Sequence, residues 1–154
     1  MIEFVIGFGV FLNLMTYELI GFTAGGAVIP GYLALYLDQP GRIAGTLAAA
    51  LITLAVVRGL SRVVILYGRR KFAAMLLVGF LVNWLLDAAV LKWMTWFGPM
   101  QADVRVIGFI VPGLLANDMH AQGVVQTAAV ALAAAAVVRL AAAALVYFGV
   151  FGGL

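Results

Sequence analysis

The chain has no cysteine in 154 residues, so it has no disulfide framework, no thiolate nucleophile and no Cys-based metal or iron–sulfur site. Histidine occurs once, at His120, which excludes a multi-histidine metal site within one chain. Serine also occurs once, at Ser61, among arginines and outside any Gly-x-Ser-x-Gly setting. No Gly-rich phosphate loop carrying Lys and Ser/Thr is present, which excludes an ATP-using site built from that motif. Charge is scarce as well, at 10% of residues where soluble chains carry about 25%. The first 41 residues contain no Lys or Arg, so the N-terminus lacks the basic n-region of a signal peptide and its first helix is expected to be retained.

What is present is hydrocarbon. Apolar residues make up 66% of the chain and mean hydropathy is +1.18, a composition that cannot furnish a water-facing surface. A bilayer core needs roughly 20 helical residues per crossing, which leaves room for four or five crossings and no aqueous domain. The expected fold is therefore an all-α integral membrane protein. In that setting the net charge of +3 is a signal of topology, and no nucleic-acid binding is read from it.

The pattern predicts long helices over Ile2 to Ile20, about Arg42 to Tyr67, Phe72 to Leu91 and about Val124 to Phe151. Between them lie two Pro-Gly breaks that are too short and too interrupted to span. Ile29-Pro30-Gly31 is expected to turn or unwind the backbone at membrane depth, as a broken or re-entrant hairpin. Such backbone is tolerated only where it is buried in protein or lines a cavity. The breaks resemble each other: Gly26-x-Val28-Ile29-Pro30-Gly31 matches Gly108-x-Ile110-Val111-Pro112-Gly113 at a spacing of 82 residues. Downstream, Ala55-Val56-Val57-Arg58 recurs as Ala136-Val137-Val138-Arg139, and Tyr67-Gly68 falls opposite Phe148-Gly149, at a spacing of 81. These matches predict an internal duplication within a single transmembrane domain, with residues 1–68 and 72–151 as its repeats.

Arg58, Arg62, Arg69, Arg70 and Lys71 oppose Arg42, Lys92 and Arg105 across the predicted spans, which favours a cytoplasmic Gly68-to-Lys71 turn. Two topologies follow. If the hairpins dip in and return, both face outside, both termini lie inside and the repeats are parallel; this is the preferred expectation. If each hairpin crosses, the repeats are inverted. On the first topology Glu18 and Asp87 fall in the outer third and Arg58 and Arg139 in the inner third, and Asp87 is not paired with Arg139. Intramembrane charges are costly and by default mark a functional path. Asn83 and Asp87 share a helix face suited equally to an interhelical hydrogen bond or to a substrate contact. Asn117, Asp118, His120 and Gln122 follow the second break as Asp38 and Gln39 follow the first, which suggests a shared polar pocket or a solvated rim. His120 and Asp118 point apart on a helix and form no catalytic dyad.

The stretches Val28-Ile29-Pro30-Gly31-Tyr32-Leu33, Asp38-Gln39-Pro40, Ile65-Leu66-Tyr67-Gly68-Arg69-Arg70-Lys71-Phe72-Ala73-Ala74-Met75-Leu76 and Ile110-Val111-Pro112-Gly113-Leu114-Leu115-Ala116-Asn117 resemble the PgsC/CapC family, across about residues 10 to 150. The block around Gly68-Arg69-Arg70-Lys71 is its most specific part. The chain departs from the family pattern at Asp38, where Asn is expected, and at Met119-His120, where a Gln-rich segment is expected; no role is placed on Asp38 or His120. The resemblance implies a membrane subunit of bacterial poly-γ-glutamate synthesis in the cytoplasmic membrane. Its implied partners are a PgsB/CapB-like ATP-dependent amide ligase, a CapA/PgsA-like exported protein, the polymer itself and further copies of this chain. ATP and a divalent metal would belong to the ligase, so this chain would be a non-catalytic subunit with no cofactor of its own. Arg69, Arg70 and Lys71, with Arg58 and Arg62, are the candidate residues for docking the ligase or catching the polymer, and the two hairpins are candidates for its path. The alternative is a stand-alone small transporter or channel, a dimer of duplicated halves using Asp87, Arg139 and the hairpins.

Overall fold

The computed structural model describes residues 2–23, 25–26, 28–65, 67–97 and 107–147. Among these the only regular structure is helical: α1 (Ile2–Ile20), α2 (Ile29–Leu35), α3 (Pro40–Leu60), α4 (Arg69–Phe97), α5 (Val111–Gln122) and α6 (Val124–Tyr147). Four of them, α1, α3, α4 and α6, are long and apolar enough to cross a bilayer. Only 17% to 39% of each span is buried within the chain, so most of their apolar surface is left for lipid or for other proteins.

The long helices lie close to where hydropathy puts them, with shifted ends: the second stops at Leu60 and the third extends from Arg69 to Phe97. The Pro-Gly pairs do something other than expected. Pro30, Pro40 and Pro112 each stand in the first turn of a helix, where the missing N–H is no loss and the fixed φ suits the helix. The chain breaks just before them, at Gly25 and Gly26 (φ +90° and +106°) and at Gly108 (φ +66°).

Gly31 and Gly113 have a different task, the close approach of helices. A Cβ on Gly9 would lie 2.6 Å from the Gly31 nitrogen, and one on Gly79 would lie 2.7 Å from the Gly113 Cα. Both short helices therefore cross a long one backbone to backbone, α2 on α1 and α5 on α4. Each also packs across the other half of the chain, α2 on α6 and α5 on α3. The burial patterns agree at the 81-residue spacing: Thr46, Ala50, Leu54 and Val57 are buried on α3 as Thr127, Ala131, Ala135 and Val138 are on α6.

Contacts fix the direction of each segment. Gly31 lies against Val5 and Ile6, Arg139 reaches Ala34 and Asp38, and Val5, Asp38, Arg139 and Val146 share one cavity. Thr23 instead bonds Asp118 and Gln122, and His120 meets Lys71. Residues 21–39 thus run from the Lys71 end of the bundle to the end that holds Val5, and residues 107–122 run the opposite way. Both hairpins traverse the bundle.

This corrects the expected re-entrant, parallel arrangement and its consequences. The start of α1 and the end of α6 lie at the end opposite the Gly68-to-Lys71 turn. Glu18, near the close of α1, belongs to the Lys71 end, whereas Arg139 belongs to the Asp38 end. Arg58 and Arg139 therefore stand at opposite ends of the bundle. The physical reason is reach: Thr23 lies against Asp118 and Gln122, Gly25 against Leu115 and Gly26 against Leu114, so the chain has already stepped back along α5 before the proline-started helix completes the crossing. Gln101, Asp103, Arg105 and Phe148-Gly149 lie outside the described residues.

The absence of native cysteine makes the crossing testable by single-cysteine labelling. Phe22→Cys and Gln39→Cys are expected to react with an impermeant maleimide from opposite sides of the membrane; reaction of both from one side would contradict the crossing.

Candidate functional site

Polar chemistry concentrates at the two ends and at one buried pin. The pin holds the second break in place. The Ile107 N–H donates to Thr46 Oγ1 at 2.9 Å, Thr46 donates to the Arg42 carbonyl at 2.7 Å, and Asn83 Nδ2 donates to the Gly108 carbonyl at 3.0 Å. Asn83 is 2% exposed and Asn13, at the corresponding place on α1, is 4% exposed. Asn83 thus bonds the backbone of the second break and not another helix, and Asp87 is not part of this pin.

At the basic end, α3 brings Arg58, α4 brings Arg69, Arg70 and Lys71, and α5 brings His120. Arg69 and Arg70 are exposed on the first turn of α4, and Arg62 is exposed just beyond α3. Lys71 Nζ donates to His120 Nε2, which requires the neutral ring with its proton on Nδ1. His120 lies outside the four long spans, and its pKa is lowered from 6.5 by burial first, then by the charges of Lys71 and Arg58. Beside it, Asp118 accepts from Thr23 Oγ1 and, at 3.3 Å, from Asn117 Nδ2, while the Thr23 N–H donates to Gln122 at 2.8 Å. This cluster ties the first break to α5. Asp118 and His120 are engaged by different partners, as their spacing on a helix requires.

At the other end Arg139 bonds Asp38 at 2.5 Å and the Ala34 carbonyl at 3.1 Å, which caps α2 with a cation where its dipole is negative. The pair borders a cavity of about 440 Å³ lined by Val5, Leu35, Ala142 and Val146. The shared polar pocket expected from Asp38, Gln39, Asn117, Asp118, His120 and Gln122 is therefore not one site, because crossing hairpins deliver these residues to opposite ends. Between the ends the two breaks meet: Val28, Ile29 and Tyr32 face Phe109, Ile110 and Leu114 across an apolar groove of about 350 Å³. Among the described residues no group of three His, Asp or Glu side chains is placed to hold a metal.

Sequence reasoning did not find Gly9, Gly79, Asn13 or the Arg139–Asp38 pair. Two signals were available. Gly9 and Gly79, and Asn13 and Asn83, recur at a spacing of 70, whereas the hairpins recur at 82.

Four apolar helices threaded by two crossing, proline-started segments, with ionic groups gathered at the ends, define a small polytopic helical membrane protein. Comparison with known proteins makes this specific. Residues 8–128 match the family model described as Capsule biosynthesis CapC, and the chain belongs to that family. It is 43% identical over 121 residues to PGA biosynthesis protein CapC of Bacillus subtilis (strain 168), covering 77% of this chain and 78% of that protein. It is 41% identical over 123 residues to Capsule biosynthesis protein CapC of Bacillus anthracis, with the same coverage. No solved structure matches the chain.

Proposed function

We propose that this chain is the membrane subunit of a bacterial poly-γ-glutamate capsule synthetase, anchoring an ATP-dependent amide ligase at the cytoplasmic membrane and assisting export of the anionic polymer. The observation that carries the proposal is the convergence of Arg58, Arg69, Arg70 and Lys71 on one end of a bundle that otherwise offers hydrocarbon. An excess of Lys and Arg favours the cytoplasm for that end, where a soluble ligase would work. With Arg139 moved to the opposite end the excess is narrower than the linear count implied, but the cluster is the denser one. A polyanion must cross about 30 Å of hydrocarbon, which demands cations or hydrogen-bond donors along its way. ATP and a divalent metal belong to the ligase in this reading, and a CapA/PgsA-like exported protein receives the polymer.

Four spanning helices are few for a pore, so the path is framed by more than one copy, with the breaks toward it. The crossing hairpins and the matching burial of α3 and α6 also support an internal duplication in inverted orientation, the plan of many small transporters. That likeness favours a second reading, a stand-alone transporter or channel. The groove where the breaks meet is lined by apolar residues, which argues against a small-ion site there. Proteoliposomes holding the purified chain alone are expected to move neither sodium nor glutamate above the empty-vesicle rate. Solute movement without a ligase would transfer the conclusion to the transporter.

A further inference from the structure

The two ends of the bundle use the same scaffold with one charge exchanged. Asp38 stands eight residues after Pro30, and His120 stands eight residues after Pro112. Arg139 directly follows Val138 and Arg58 directly follows Val57, valines that are 1% and 0% exposed. Since α2 packs on α6 and α5 packs on α3, Arg58 and His120 hold the places at the basic end that Arg139 and Asp38 hold at the other. There the guanidinium is closed by a carboxylate at 2.5 Å. At the basic end an imidazole replaces that carboxylate, and α4 adds Lys71 against the imidazole. Asp118 on the same helix is engaged by Thr23 and Asn117. Among the described residues no carboxylate forms an ion pair with Arg58 or Lys71.

We infer that Arg58, Lys71 and His120 form a binding site for an external carboxylate, which takes the place on Arg58 that Asp38 takes on Arg139. Arg58 and Lys71, brought by α3 and α4 to one end without a counter-charge, repel one another, and an anion between them removes that cost. A guanidinium offers a forked pair of donors that fits a carboxylate, and Lys71 supplies a further charged donor. The chemistry recognised is that of an oxyanion, and Asp38 on Arg139 is the internal template that favours a carboxylate over a lipid phosphate. Binding would also favour protonation of His120, freeing Lys71 from it to turn toward the ligand. That the carboxylate belongs to a glutamate polymer rests on the function proposed above.

His120 is the only imidazole in the chain, so one NMR signal reports the site. The full-length protein is placed in phosphatidylcholine nanodiscs and short γ-linked glutamate oligomers are added. The midpoint of the His120 titration is expected to rise by about one pH unit. Arg58→Gln and Lys71→Gln should each abolish the response with helix content retained, whereas Asp38→Asn should leave it intact. No response to the oligomer overturns the site. A response to phosphatidylglycerol alone, with none to the oligomer in phosphatidylcholine, overturns the carboxylate assignment in favour of lipid phosphate. An intact oligomer response in a chain that recruits no ligase would leave the site standing and remove the complex.

Discussion

Gly79→Leu and Gly113→Leu are each expected to eliminate the folded bundle, and even Gly79→Ala and Gly113→Ala should lower the unfolding midpoint in detergent. A Cβ at Gly79 would lie 2.7 Å from the Gly113 nitrogen and Cα, and one at Gly113 would lie 2.8 Å from the Met75 carbonyl oxygen. The obstructing atoms are backbone, so no side chain can rotate away and the helices must part. Overpacking costs about 1 to 3 kcal/mol where side chains can adjust, and these contacts stand at or above the top of that range. Parting α4 and α5 would also loosen the hydrogen bond from Asn83 to Gly108, which depends on the same crossing. Gly9 and Gly31 form the matching contact in the first half, so substitutions there should behave alike. Gly7 and Gly59 are the controls. A Cβ at either meets nothing within 4 Å, and Gly→Ala there should be neutral or slightly stabilising. Gly79→Ala unfolding with the unmodified chain would show that the crossing is not as close as described.

Arg69→Gln combined with Arg70→Gln is expected to reduce polymer output by about tenfold or more while leaving helix content and stability unchanged, in chains whose orientation is checked by cysteine labelling at Gln39. Both side chains are exposed, and removing exposed charges costs little stability. They also sit at the N-terminus of α4, where cations oppose the helix dipole, so their removal should if anything favour the helix. A residue pair that helps neither its helix nor the core is well suited to a partner or a polyanion. The readouts are polymer yield and the amount of ligase retained on the membrane, each normalised to the chain's own level. Unchanged yield and unchanged retention would reduce the cluster to a topology signal.

The class of fold was legible because it depends on composition and on runs of apolar residues, which one sequence carries in full. The Pro-Gly breaks were legible too, yet their geometry was not. Proline before glycine suits a turn and suits a helix start equally well, and only the packing of Gly31 on Gly9 and of Gly113 on Gly79 decides for the helix. The direction of the hairpins is hidden for the same reason: a seven-residue helix cannot span a bilayer by itself, and only the contacts of Thr23, Gly25 and Gly26 along α5 put the chain part-way across before α2 begins. The depths assigned to Glu18 and Arg139 rested on that direction and were overturned with it.

The Arg139–Asp38 pair joins residues 101 positions apart, and nothing local in either sequence marks the other. The recurrence of Gly9 as Gly79 was hidden by arithmetic. α4 runs seven residues further past Gly79 than α1 runs past Gly9, and the connection to Val111 is five residues longer than that to Ile29, so a match at 70 falls out of step with the one at 82. In contrast, the basic residues of the candidate site were found from sequence because charge in a chain with so little of it is conspicuous. Their convergence with His120 was not, since it depends on α5 running toward Lys71.

Whether this chain works with a ligase is measured directly by affinity purification from native membranes in mild detergent. The expected result is recovery of an ATP-dependent amide ligase with the chain, in a fixed ratio, and loss of that ligase when Arg69, Arg70 and Lys71 are replaced by glutamine. Recovery of the chain without a ligase, from membranes that are making polymer, would contradict it.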